Sequence, residues 1–140
     1  MVILTGTGLA SAKRAPQPKA HATPHTNLTN GETVTVTGSN FVPGTQVYVV
    51  QCSKGIKGKN TAVSGEPYCG IYNYDIVTVT PTGAIPSGTT FTVYTGDVTV
   101  NGTTCGTSTT DKVCYLGVGD AQNDKDDSAL ARITFALPKP

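Results

Sequence analysis

The chain has no tryptophan, one methionine, three phenylalanines and two histidines among its 140 residues. Each shortage excludes something. A Ser-His-Asp or Cys-His nucleophilic site needs an imidazole base held against the nucleophile. His21 and His25 are the only histidines, and both fall at the start of the expected domain. Catalysis of that type is not expected, and the chain reads as a non-enzyme. A metal centre needs three or four converging ligands, so neither a metal nor a cofactor is expected. With so little Phe and no Trp, the six tyrosines are the main aromatic surface.

Charge is scarce as well. Asp, Glu, Lys and Arg make up 14% of the chain, against roughly 25% in ordinary globular proteins. So few Lys and Glu side chains suit a secreted β protein better than a cytosolic helical one. The net charge of +1 is unevenly spread, because Lys13, Arg14 and Lys19 lie in the first 22 residues without an acidic neighbour. The remainder holds seven basic and nine acidic residues, a net −2. A domain of that sign has no electrostatic footprint for direct binding to DNA or RNA. No apolar run approaches the roughly 20 residues of a membrane-spanning helix.

Residues 1–22 show neither strand nor helix periodicity. Leu9 to Ala12 ends in a small-x-small pattern, and Ala20-His21-Ala22 repeats it, as at a signal cleavage site. A basic opening region is missing and the apolar run is short. This segment reads as a truncated signal peptide or a flexible leader, with the domain expected over residues 23–140.

What the chain has in quantity is Thr, Val, Ser and Gly, the composition of short strands and tight turns. Val34 and Val36 alternate with Thr33, Thr35 and Thr37, the period of a half-buried strand. Further strands are expected from Val47 into Cys52, over Ile76–Thr80, Thr90–Tyr94, Asp97–Val100, Val113–Val118 and Ala131–Ala136. Asn101-Gly102 is a hairpin-turn pair. Lys54 to Ser64 is a polar loop, in which Lys54, Lys57 and Lys59 form a small basic cluster. Asp120–Asp127 lacks the sixth-place Gly and closing Glu of an EF-hand and reads as a solvated acidic loop. The sequons at Asn27 and Asn101 read as chance in so Thr-rich a chain. Seven or so strands with no helix make an all-β chain of the Greek-key sandwich type.

Four cysteines form two local groups, Cys52 with Cys69 and Cys105 with Cys114. Disulfides place such a chain in an oxidising, extracellular compartment. Three connectivities are open to four cysteines. Nearest-neighbour pairing would close two short loops around turns, each contributing about 3 kcal/mol by loop entropy.

The order of motifs is more specific than any one of them. Asn30-Gly31-Glu32-Thr33-Val34-Thr35-Val36-Thr37-Gly38 leads to Phe41-Val42-Pro43-Gly44-Thr45 and then to Val47-Tyr48-Val49-Val50-Gln51-Cys52. Cys69, Val77-Thr78, Gly83 and Phe91-Thr92-Val93 follow. Cys105 and Cys114 then precede Leu116-Gly117-Val118-Gly119-Asp120 and Ile133-Thr134-Phe135. From Thr23 to Leu137 the sequence resembles the neocarzinostatin family, the apoproteins of enediyne chromoprotein antibiotics from actinobacteria. The resemblance implies a seven-stranded immunoglobulin-like sandwich with a two-stranded ribbon, and disulfides Cys52–Cys69 and Cys105–Cys114. It also implies a cleft between barrel and ribbon that holds a labile aromatic molecule. In the antibiotic members the protein is a carrier that shields the chromophore from water and thiols. The released chromophore, not the protein, cuts DNA.

This chain departs from the family pattern at the implied cleft. Lys54 stands where drug-binding members have a Trp. The hairpin that carries a phenylalanine in the family is shortened to Tyr94–Thr104. Tyr115 replaces a cleft-lining amide, and Gly119 a hydroxyl. Tyr74 stands where a cleft phenylalanine would be, with Tyr68 and Tyr72 nearby. If strand alternation holds, Tyr72 and Tyr74 share a face. A stacking cleft here would therefore be tyrosine-lined and more polar. The expected ligand residues are Tyr68, Tyr72, Tyr74, Tyr94, Tyr115, Gly117, Gly119 and Lys54, with the glycines admitting a ligand to the backbone. Two functions compete at this level. One is a secreted carrier of an apolar or aromatic small molecule. The other is an extracellular interaction or structural domain that keeps the fold, meets a protein partner and binds no chromophore.

Overall fold

The computed structural model describes residues 17–53, 68–98, 102–121 and 127–137. Expectations placed on residues 1–16, on Lys54, Lys57 and Lys59, and on Asn101 lie outside these residues, as do the side chains of Ile71 and Tyr72. All nine elements among the described residues are strands. They are β1 (Lys19–Thr23), β2 (Thr33–Ser39), β3 (Gln46–Cys52), β4 (Cys69–Thr78), β5 (Thr90–Thr92), β6 (Gly96–Asp97), β7 (Thr104–Cys105), β8 (Val113–Asp120) and β9 (Ser128–Thr134).

Seven of them form two layers. One sheet has the order β1-β2-β5 and the other β4-β3-β8-β9, while β6 and β7 pair separately as a ribbon. Every ladder is antiparallel. The chain changes sheets between β2 and β3, and β3 ends between β4 and β8, which is Greek-key connectivity. The all-β, immunoglobulin-like sandwich with a two-stranded ribbon is the expected fold. Cys52 is bonded to Cys69 and Cys105 to Cys114.

Alternation builds the core. Val34 and Val36 of β2 are buried while Thr33, Thr35 and Thr37 stay exposed. Val47 and Val49 of β3, Leu116 and Val118 of β8, and Ala131 and Ile133 of β9 meet them from the other sheet. Each fully buried Val, Leu or Ile contributes roughly 1.5–3 kcal/mol relative to exposure. Phe41, Phe91 and Phe135, all three phenylalanines, are in this core. None is left for a surface site.

Two expectations need correction. The leader was expected to run to residue 22, yet β1 begins at Lys19 and pairs with β2 through five positions. Ala20 and Ala22 are small because they face the core, so their small-x-small spacing is strand alternation. His21 and Thr23 point out. This strand, rather than Asp97–Val100, completes the seven. Gly96–Asp97 belongs to the ribbon, paired with Thr104–Cys105.

The acidic loop is not solvated at its ends. Asp120 pairs with Val47 as the last residue of β8, and both Asp120 and Asp127 are buried. The Asp127 carboxylate accepts the Val42 N–H at 2.9 Å and the Thr45 hydroxyl at 3.3 Å. It therefore pins the turn that leads into β3. A sequence scan cannot separate such a buried acceptor from its exposed acidic neighbours.

Candidate functional site

β3 is apolar on both faces. Its Val47 and Val49 enter the core, so Tyr48 and Val50 point outward. Directly opposed residues of neighbouring strands share a face, which extends this outward surface across the sheet. Tyr48 opposes Ile76, and Val50 opposes Tyr74. On the other side Tyr48 opposes Gly119, Val50 opposes Gly117 and Cys52 opposes Tyr115. Beyond them Gly117 opposes Leu130 and Tyr115 opposes Arg132.

The outcome is a second apolar cluster on the outside of the four-stranded sheet. Val50, Cys52 and Cys69 are its buried centre, with Tyr48, Tyr68, Tyr115 and Leu130 packed against them. The Tyr48 and Tyr74 rings meet edge to face, with centroids 5.3 Å apart and planes at 82°. Such pairs contribute about 0.5–1.5 kcal/mol beyond their area. Tyr74 and Ile76 remain 48% and 46% exposed. A polar sandwich exterior has no need of them. Gly117 and Gly119 lie on this face without side chains but are themselves buried, so its open part is the β4 side.

A separate cavity of about 400 Å³ opens at the base of the ribbon. Gln51 and Asn73, on the inward side of the sheet, line it together with Gly70, Tyr94, Asp97 and Val98. Gln51 opposes the core residue Leu116, so its side chain points inward. Its amide donates from Nε2 to the Tyr94 carbonyl at 2.7 Å and accepts the Tyr94 N–H on Oε1 at 2.9 Å. Asn73 donates from Nδ2 to the Thr92 carbonyl at 3.1 Å. These two amides hold the backbone at Thr92 and Tyr94, where the chain passes from β5 toward the ribbon. Gly70 completes the joint: a Cβ there would sit 2.3 Å from the Val98 carbonyl oxygen.

The second disulfide loop is organised by Asp111, which is buried. Burial alone would raise its carboxyl pKa. Hydrogen bonds from the Thr104 and Thr107 hydroxyls and the Ser108 and Thr107 amides outweigh that and bring it down to about 2. Thr107 N and Ser108 N approach at 2.9 and 2.7 Å. The loop so fixed ties β7 to β8 and sets Tyr115, the residue after Cys114, on the outer face.

The model of the neocarzinostatin family matches residues 20–135. The chain belongs to the neocarzinostatin family. Among family relatives, macromomycin of Streptomyces macromomyceticus is 32% identical over 130 residues, covering 89% of this chain and 81% of that protein. The solved structure of macromomycin superposes with a TM-score of 0.59 at 31% identity, covering 85% of this chain and 99% of the other. The solution conformation of apokedarcidin shares the fold, with a TM-score of 0.52 at 22% identity over 86% and 99% of the two chains.

Within this neocarzinostatin-family scaffold the residues singled out from sequence divide into groups. Tyr68, Tyr74, Tyr115, Gly117 and Gly119 lie on or against the outer face. Tyr94 lines the ribbon-base cavity instead. Lys54 and the Tyr72 side chain lie outside the described residues. The β3–β4 register shifts between Val50 and Cys52. Sequence reasoning missed Tyr48, Ile76, Leu130 and Gln51. A signal for Tyr48 was present: Val47-Tyr48-Val49-Val50 leaves no polar face, so both sides of that strand need cover.

Proposed function

We propose that this protein is a secreted, non-enzymatic carrier that holds an apolar or aromatic small molecule non-covalently on the tyrosine face of the four-stranded sheet. The observation that carries this reading is the exposed Tyr74 ring, set edge-on to Tyr48 in a contiguous apolar patch with Val50, Tyr115 and Leu130. A flat apolar body laid on that patch removes two exposed large side chains, Tyr74 and Ile76, from water. Tyrosine keeps a hydroxyl for orientation while its ring supplies the stacking surface. Membership of the neocarzinostatin family supports a carrier of this kind. Secretion rests on the two disulfides.

The test is a titration with 1-anilinonaphthalene-8-sulfonate followed by amide NMR. Saturable shifts at Tyr48, Tyr74, Tyr115 and Gly117, weakened roughly threefold to tenfold in Tyr74→Ala, support the carrier. Shifts elsewhere, or none, sink it. The burial of Gly117 and Gly119 favours a second reading, an extracellular immunoglobulin-like domain whose exposed Tyr74 and Ile76 meet a protein partner.

A further inference from the structure

We propose that the cavity at the ribbon base is a second binding site, distinct from the tyrosine face, and that it takes a small organic ammonium group. This inference does not rest on the carrier reading. The cavity holds about 400 Å³, within the range of small-molecule sites. The hydrogen bonds of the lining residues fix how its amide groups point. Gln51 Oε1 must accept the Tyr94 N–H, so Gln51 Nε2 is the donor to the Tyr94 carbonyl. Asn73 Nδ2 is likewise turned to the Thr92 carbonyl. Backbone partners thus fix both amide orientations and engage one N–H of each NH2 group. Asn73 Oδ1 is left with no hydrogen bond among the described residues.

The charge has the same sense. Asp97 lines the cavity and has no ion-pair or hydrogen-bond partner for its carboxylate among the described residues. No Lys or Arg is among the described lining residues. Tyr94, 41% exposed, adds a ring face, and rings attract cations through their quadrupole. An open Asn73 acceptor, a carboxylate with no cation beside it among the described lining residues and an aromatic wall suit a donor-rich cation and repel a carboxylate. Gly70 lets the ribbon close on the sheet at Val98, which gives the cavity its back wall.

The experiment is an amide NMR titration at pH 6.5 with three probes of similar size: benzylammonium, benzyl alcohol and benzoate. Wild type is compared with Asp97→Asn, a change at an exposed ribbon position, whose thermal midpoint is measured alongside. Benzylammonium is expected to shift Gly70, Asn73, Thr95 and Asp97 saturably and to bind about fivefold more weakly to the variant, the size of one solvent-exposed ion pair. Benzyl alcohol is expected to bind wild type no better than benzylammonium binds the variant, and benzoate not to bind there. Equal benzylammonium affinity in both proteins, or benzoate binding at these residues, overturns the proposal. Shifts confined to Tyr48, Tyr74 and Tyr115 also overturn it, while leaving the tyrosine-face reading intact.

Discussion

The side chain of Gln51 holds the backbone of Tyr94 by two hydrogen bonds, 2.7 Å to its carbonyl and 2.9 Å from its N–H. A side-chain amide thereby stands in for a strand neighbour and joins the inner side of the four-stranded sheet to the segment that enters the ribbon. Gln51→Leu keeps the volume but leaves a buried donor and a carbonyl unpaired. The expected cost is about 2–4 kcal/mol, read as a lower midpoint in urea with an unchanged slope. Gln51→Glu is expected to fail similarly, because a carboxylate cannot donate to the Tyr94 carbonyl.

The Gly70 joint is steric. A methyl group at residue 70 would meet the Val98 carbonyl oxygen at 2.3 Å, and backbone cannot yield as a flexible side chain does. Gly70→Ala is expected to cost about 1–3 kcal/mol and to move the ribbon. Hydrogen exchange at the Val98 N–H, bonded to the Thr103 carbonyl at 2.8 Å, is expected to accelerate. The tyrosine-face amides around Val50 should be unaffected.

Asp111 gives the fold an acid limit. Its native pKa of about 2 lies below the ordinary 3.8, so the unfolded chain takes up the proton first. The stabilisation is fully present above about pH 4 and is lost as the pH falls through about 2. In Asp111→Asn that part of the acid limb is expected to flatten, and stability at neutral pH to fall by about 1–3 kcal/mol. Urea midpoints of both proteins between pH 6 and pH 2 check the sign.

Most of the sandwich is legible in the sequence because alternation is a local signal. Thr33–Thr37 shows its buried and exposed sides directly. The strand at Lys19–Thr23 is not legible, since two alanines make a faint apolar stripe and a cleavage motif has the same spacing. Tyr74, Tyr115, Gly117 and Gly119 could be named from the family pattern. That they share one outward face with Tyr48 and Leu130 depends on register across four strands, a non-local property. Tyr94 shows the limit most clearly. Nothing in the local sequence around it signals that a glutamine 43 residues earlier holds it at a different cavity.

The central claim is that the outer face around Tyr48 and Tyr74 carries a non-covalent small molecule. It is tested most directly by native mass spectrometry of the protein purified from the medium of its own producing cells. The carrier account predicts a mass above that of the disulfide-bonded polypeptide, lost on denaturation, and strongly reduced when the producing cells express Tyr74→Ala. Repeated native preparations at the bare polypeptide mass, with no thermal shift when cell extract is added, would contradict it.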